Sequence, residues 1–275
     1  MSPSLFERAS AELSRARDGD GFGATPGSPP EPEPTALAAI ALDDEAARRW
    51  LAGAQREDGS FGFRLADVDS AAATPLCALA LPAGAARERA LDHVVTHRAQ
   101  TLRSDQAVPH DPSVAGWAWT LGTAGWVEPT ASALLALRRL RPAASEAIAD
   151  GVGYLRDREC VGGGWNYGNR VVLEEALPPF GQTTAMALIG LHGGSATDLI
   201  DRGVAALRRL WPAERGPLTL ATSLAAFRLL GLPDADDVGS ELADLLEREP
   251  TEDVVALAWA AIASGPGLAE LAVAT

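Results

Sequence analysis

Basic charge is scarce in this chain. Its 23 Lys and Arg residues stand against 37 Asp and Glu, a formal net charge of −14. Phosphate backbones need a basic surface, so nucleic acid is excluded as a partner. The same balance argues against docking on anionic lipid through charge. Cysteine is nearly absent: Cys77 and Cys160 cannot build a disulfide framework, which fits a reducing compartment and a cytoplasmic protein. The N-terminal Met1-Ser-Pro-Ser-Leu-Phe-Glu-Arg8 has no apolar core of the kind a signal peptide needs. No apolar run approaches the ~18–20 residues that span a bilayer. Only four histidines occur, and none shares a loop with a cysteine at ligand spacing, so neither a metal site nor a cofactor is expected. His93 and His97 stand at i and i+4 on an amphipathic segment and read as solvated surface. Aromatic residues make up only 5% of the chain, thin for a cavity that must stabilise carbocations through ring faces.

What the chain has in abundance is one repeated apolar stretch. Thr130-Ala-Ser-Ala-Leu-Leu-Ala-Leu137 recurs in variant form after Thr35, Thr74, Thr184, Thr222 and, more loosely, Thr251. Glu33-Pro34-Thr35, Glu128-Pro129-Thr130 and Glu249-Pro250-Thr251 introduce three of the six copies. A Thr followed by about three turns of apolar residues reads as a helix start. Helices apolar on most faces belong inside a protein. Six buried helices are therefore expected, starting near Thr35, Ser70, Pro129, Gln182, Leu218 and Pro250. Amphipathic segments alternate with them: 5–17, 44–55, 85–100, 145–159, 196–210 and 236–249. Self-similarity at this period marks a repeat architecture. The expected fold is all-α, an α6/α6 toroid with apolar helices inside and amphipathic helices outside, as a single domain over 1–275.

The connections from amphipathic to apolar helices are long in the first four units: 18–34, 56–69, 101–129 and 160–181. In a closed ring of hairpins they emerge on one face, and insertions confined to one face mark the binding face. Trp117, Trp119, Trp126, Trp165 and Tyr167 all fall in the third and fourth of these loops. Together with Phe61 and Gln182 they are the expected lining for an apolar ligand.

Two of the loops carry a more specific pattern. Trp50-Leu51-x3-Gln55-x3-Gly59-Ser60-Phe61 and Tyr154-Leu155-x3-Glu159-x3-Gly163-Gly164-Trp165 resemble the QW motif of squalene–hopene cyclases and other triterpene cyclases, with Phe61 in place of Trp and Glu159 in place of Gln. With the Thr-led helices, they make the chain similar to the prenyltransferase/squalene-oxidase repeat family. The resemblance implies an α/α toroid and a central cavity for an isoprenoid-like or other long apolar molecule. In class II cyclases of that family an Asp-x-Asp-Asp motif at an inner helix start protonates the substrate. Here Asp67-Val68-Asp69-Ser70 precedes the second inner helix, and Glu128-Pro129-Thr130-Ala131 stands where the family writes Asp-Asp-Thr-Ala. Asp69 and Glu128 are thus the candidate acids. Such a donor must keep its proton at neutral pH, well above the ~4 of a free carboxyl. The alternative expectation is a non-catalytic toroid that holds a protein partner on its long-loop face.

Overall fold

The computed structural model describes residues 3–103 and 110–273. Part of the third long loop, 104–109, and both chain ends lie outside the described residues. Among the described residues the secondary structure is helical apart from two hairpins of two-residue strands, β1 (Arg17–Asp18) with β2 (Gly21–Phe22) and β3 (Val171–Val172) with β4 (Glu175–Ala176). The apolar copies form α2 (Pro32–Leu42), α4 (Thr74–Ala80), α6 (Val127–Leu140), α8 (Gly181–Leu191), α10 (Pro217–Leu229) and α12 (Val254–Ser264). The amphipathic segments form α1 (Leu5–Arg15), α3 (Glu45–Ala54), α5 (Ala85–Thr96), α7 (Ser145–Asp157), α9 (Thr197–Leu210) and α11 (Asp234–Arg248), and a short α13 (Leu268–Leu271) follows.

The two classes differ in how they bury themselves. From Pro34 to Ala41, α2 buries every residue, whereas α11 buries only Ala235, Val238, Leu242 and Leu246, a single stripe at helical spacing. Each buried helix packs against the next in the order α2, α4, α6, α8, α10, α12, and α12 packs back against α2. Helices α3, α5, α7, α9 and α11 each lie on the buried helix before them, while α1 lies on α12. One continuous cluster of buried side chains runs from Ala9 to Leu271. Small residues permit close approach within it. A Cβ on Gly190 of α8 would stand 2.6 Å from the Ala131 carbonyl oxygen of α6.

Two helix starts fall four residues later than the sequence suggests. α4 begins at Thr74, after a turn through 71–73, and α12 begins at Val254. At α12 the side chain of Asp253 accepts a hydrogen bond from the Ala256 amide (3.0 Å), so the cap sits there and not at Pro250. Glu249 consequently ends α11 and is exposed.

The Thr that opens the repeat has a structural task. Thr35, Thr74, Thr130 and Thr184 each accept, at Oγ1, the backbone N–H of an aromatic residue in the preceding long loop: Phe22, Phe61, Trp117 and Trp165, at 2.9–3.0 Å. The first three pairs are 13 residues apart; the fourth is 19 apart because the β3–β4 hairpin is inserted. Each loop, whatever its length, is thereby returned to the start of its buried helix. The QW-like motif adds a second fastening. Gln55 donates from Nε2 to the carbonyls of Gly59 (3.0 Å) and Ala86 (2.8 Å), and Glu159 receives both a 2.7 Å and a 2.8 Å bond from Arg202. Gly59 and Gly163 have positive φ (86° and 90°) and abut the carbonyls of Arg89 and Arg202, 2.4 and 2.8 Å from where a Cβ would lie, so only glycine fits. The motif clips each outer helix to its neighbour in the next unit.

Candidate functional site

Among the described residues, five of the six buried helices contribute to one cavity of about 330 Å³ at their N-terminal ends. Glu33 comes from α2, Glu128 and Ser132 from α6, Gln182 and Met186 from α8, Leu218 and Thr222 from α10, and Val255 and Trp259 from α12, beside its cap Asp253. α4 is the shortest of the six and contributes no side chain; Trp119 lines the cavity as well. The third long loop carries Trp119 there because Ser70 Oγ donates to the Trp119 carbonyl (2.8 Å) and Leu121 N–H bonds the Asp69 carbonyl (2.6 Å). Phe63 stacks on Trp119 with ring centroids 5.4 Å apart.

The cavity is acidic. Glu33 and Glu128 occupy the second positions of α2 and α6, where the helix dipole favours a charged carboxylate. Burial acts the other way and is stronger for Glu33. Loss of water, then repulsion from Glu128, Glu31 and Asp253, raises its pKa from 4.5 to about 7. A helix dipole is worth about 0.3–1 kcal/mol, less than a single pKa unit of ~1.4 kcal/mol, so it cannot cancel that rise. Glu128 is also pushed up by burial, opposed by the amide of Gln182, which donates 2.9 Å to its Oε1 and favours the ionised form. Both carboxyls are thus raised by burial, and only that of Glu128 is opposed by a hydrogen-bond donor. Among the described residues no Arg or His lines the cavity. Nor, among the described residues, do three His, Cys, Asp or Glu side chains gather closely enough to hold a metal ion.

The other expected site residues divide among three locations. Trp119, Gln182 and Glu128 line the cavity. Phe61 and Trp165 are buried, with Trp165 Nε1 donating to the Leu155 carbonyl (2.7 Å), and they are not part of this cavity's lining. Trp117 is buried too, its Nε1 on the Val94 carbonyl (2.9 Å) and the Arg98 guanidinium 4.2 Å above its ring. These three aromatics sit at the end of the Thr bond, which draws the ring inward. Trp126 and Tyr167 are exposed and pack beside Phe180 outside the cavity. Asp69 is exposed and lies off the cavity, because α4 starts beyond it and the chain there turns outward. Glu33, Asp253 and Trp259 complete the site. Glu33 shares with Glu128 the signal of a Glu-Pro-Thr ahead of a buried helix; nothing local distinguishes Asp253 from an ordinary cap.

His93 also departs from the surface reading. It is buried, its ring stacked 3.9 Å from that of His97 and its Nδ1 3.6 Å from the Asp58 carboxylate, and neither ring nitrogen has a hydrogen-bond partner among the described residues. Desolvation, followed by the neighbouring His97, lowers its pKa.

The fold has counterparts among solved structures. The type II terpene cyclase MstE from Scytonema, in its apo form, superposes with a TM-score of 0.60 at 19% identity, over 91% of this chain and 80% of that one. Salmonella alpha-2-macroglobulin reacted with methylamine matches with a TM-score of 0.50 at 15% identity, over 96% of this chain but only 18% of that much longer one. At these identities the likeness is one of fold. No family model matches the chain, and no curated protein matches it in sequence. No helix among the described residues is long and apolar enough to cross a membrane.

Proposed function

We propose that the chain is a single α6/α6 toroid domain that binds a neutral isoprenoid-like or other apolar molecule in its cavity, with Glu33 as a general acid. The reading is carried by one observation: Glu33, whose pKa desolvation and neighbouring carboxylates raise to about 7, faces the same cavity as Trp119, Met186, Leu218 and Trp259. The terpene cyclase fold and the closed packing order of the buried helices support it. Glu33 would transfer its proton to the substrate; the Trp119 and Trp259 ring faces and the Glu128 carboxylate would stabilise the positive charge that develops. Loss of a proton from the resulting carbocation to the Glu33 carboxylate would restore the acid and leave a neutral isomer of the substrate. The cavity is at the small end of the ~300–1,000 Å³ range of ligand sites, which favours a short isoprenoid over squalene. Its carboxylates would repel a diphosphate.

The test is titration of the protein with farnesol and with farnesyl diphosphate, followed by tryptophan fluorescence and product analysis. Farnesol is expected to shift the emission and the diphosphate to leave it unchanged. An isomerised or cyclised product should disappear in Glu33→Gln. Emission unaffected by saturating farnesol would refute the reading.

The exposed cluster of Trp126, Tyr167 and Phe180, and separately Leu173 of the β3–β4 hairpin, 92% exposed, support a second reading as a protein-binding scaffold. In that case Trp126→Ala with Tyr167→Ala abolishes partner capture, and the cavity plays no part.

A further inference from the structure

A second, smaller cavity lies between the turn before α4, the end of α5 and the third long loop. It admits water-sized groups over only about 20 Å³, so the side chains around it converge on nearly one point. Ala72, Pro75, Val94, Trp117 and Ala118 form apolar walls. His97 and Leu121 stand exposed at the mouth, and His93, 3% exposed, closes the inner end. The titratable groups in this wall are His93, His97 and Arg98, all of them basic, in a chain where acids outnumber Lys and Arg by 37 to 23. Neither ring nitrogen of His93 has a hydrogen-bond partner among the described residues. Asp58, outside the wall, stands 3.6 Å from Nδ1, which leaves Nε2, across the ring, for the cavity. Arg98 lies 4.2 Å over the Trp117 ring, gives Nε to the Val95 carbonyl (3.1 Å) and meets Asp150 only at 3.5 Å. A buried imidazole that neither donates nor accepts is costly. Its complement must bond an imidazole and pair with a guanidinium within the space of one small planar group. A carboxylate does both, because its two oxygens accept separately.

We propose that this cavity binds a short-chain monocarboxylate, its carboxylate held between His93 and Arg98 and its alkyl end against Ala118 and Leu121 at the mouth. The site is separate from the acidic cavity and stands or falls independently of the function proposed for that one. The charged and titratable groups around His93 are His97 and Arg98 beyond the end of α5, and Arg56 and Asp58 from the second long loop. In the free protein burial, followed by His97, lowers the pKa of His93 and keeps its ring neutral. A bound carboxylate supplies the missing counter-charge and favours the protonated ring. Binding therefore takes up a proton and strengthens as pH falls from about 8 to about 6.

The experiment is a titration of the full chain with butyrate, butanol and butylamine at pH 6 and pH 8, followed through the histidine ring signals in NMR spectra. His93→Gln and His97→Gln assign those signals. Butyrate is expected to move the His93 and His97 signals saturably, about tenfold more tightly at pH 6 than at pH 8. The ring of His192, already paired with Ile189 and Val273, should stay fixed. Butanol and butylamine move neither signal. Arg98→Met keeps an apolar stem over Trp117 and is expected to weaken butyrate about tenfold, the worth of one charge-assisted hydrogen bond. An unchanged His192 signal in that variant shows that the fold is intact. If butanol acts as butyrate does, or if Arg98→Met binds butyrate as tightly as the parent, the carboxylate site is refuted. If no ligand moves the two signals at ~50 mM, an ordered water alone completes His93 and the inference falls.

Discussion

Glu33 illustrates how position and environment compete at a single residue. Its place in the first turn of α2 favours charge, yet desolvation and the neighbouring carboxylates hold its pKa at about 7. The folded-state value lies above the 4.5 of a free glutamate, so between these two pH values the native state carries a proton that the unfolded state does not. Stability from this group is full below pH ~4.5 and falls as pH rises towards 7. Glu33→Gln is thus expected to be neutral near pH 4.5 and to stabilise the protein by about 1–3 kcal/mol at pH 8, a rise in melting temperature of a few degrees. Melting curves at the two pH values check this; equal shifts at both would show that charge burial is not the cause. His192 works in the opposite pH direction. Its Nδ1 and Nε2 pair with the Ile189 carbonyl (2.6 Å) and the Val273 amide (3.0 Å), an arrangement that needs the neutral ring, and burial lowers its pKa.

At the scale of the element, the Thr bond converts a variable loop into a fixed helix entry. Thr184→Val is nearly isosteric but leaves the buried Trp165 N–H without its acceptor, a loss expected to cost about 1–3 kcal/mol. Thr222 bonds only carbonyls of its own helix, Leu218 at 2.8 Å and Thr219 at 3.2 Å. Thr222→Val should cost well under ~1 kcal/mol. Chemical denaturation of both variants decides the matter, and similar losses would show that the cross-loop bond has no special weight. The outer helices are joined by Arg–carboxylate pairs, such as Arg156 with Asp198 and Arg208 with Asp234, most of them solvent-exposed. Exposed pairs contribute only ~0–1 kcal/mol each, so they set the register of neighbouring units more than their stability.

For the whole molecule, the first helix completes the packing of the last. α1 lies on α12, burying Ala9 and Leu13, while Phe6 packs so closely on Gly265 that a Cβ there would be 2.2 Å from its ring. Leu13, fully buried, brings about 1.5–3 kcal/mol and the half-buried Phe6 adds to it, a sizeable part of a net stability of ~5–15 kcal/mol. A chain lacking residues 1–16 is therefore expected to lose its cooperative thermal transition. Circular dichroism would expose the opposite result, a sharp melt within a few degrees of the full chain. All 23 Lys and Arg positions are arginine and none of them lines the cavity among the described residues, so the three acids that do, of 37 in the chain, meet there without a basic neighbour.

The sequence by itself determined the helices. The Thr-led apolar repeats and the intervening stripes announce twelve elements, because burial on all sides and burial on one side leave different local periodicities. The 13-residue interval from Phe22 to Thr35, Phe61 to Thr74 and Trp117 to Thr130 is also written in the sequence, and it marks the aromatic residues whose N–H groups are tied to the start of a buried helix. The site is only half legible. Glu128 and Gln182 stand at helix starts that the pattern places within two residues, whereas Asp69 precedes a helix that starts four residues further on than the pattern suggests. Which acid faces the cavity depends on the rotation of a helix and on partners distant in sequence. Glu33, Glu128 and Asp253 meet only because α12 returns to pack on α2, and a carboxyl's pKa is set by the water and charge that such a meeting removes or adds.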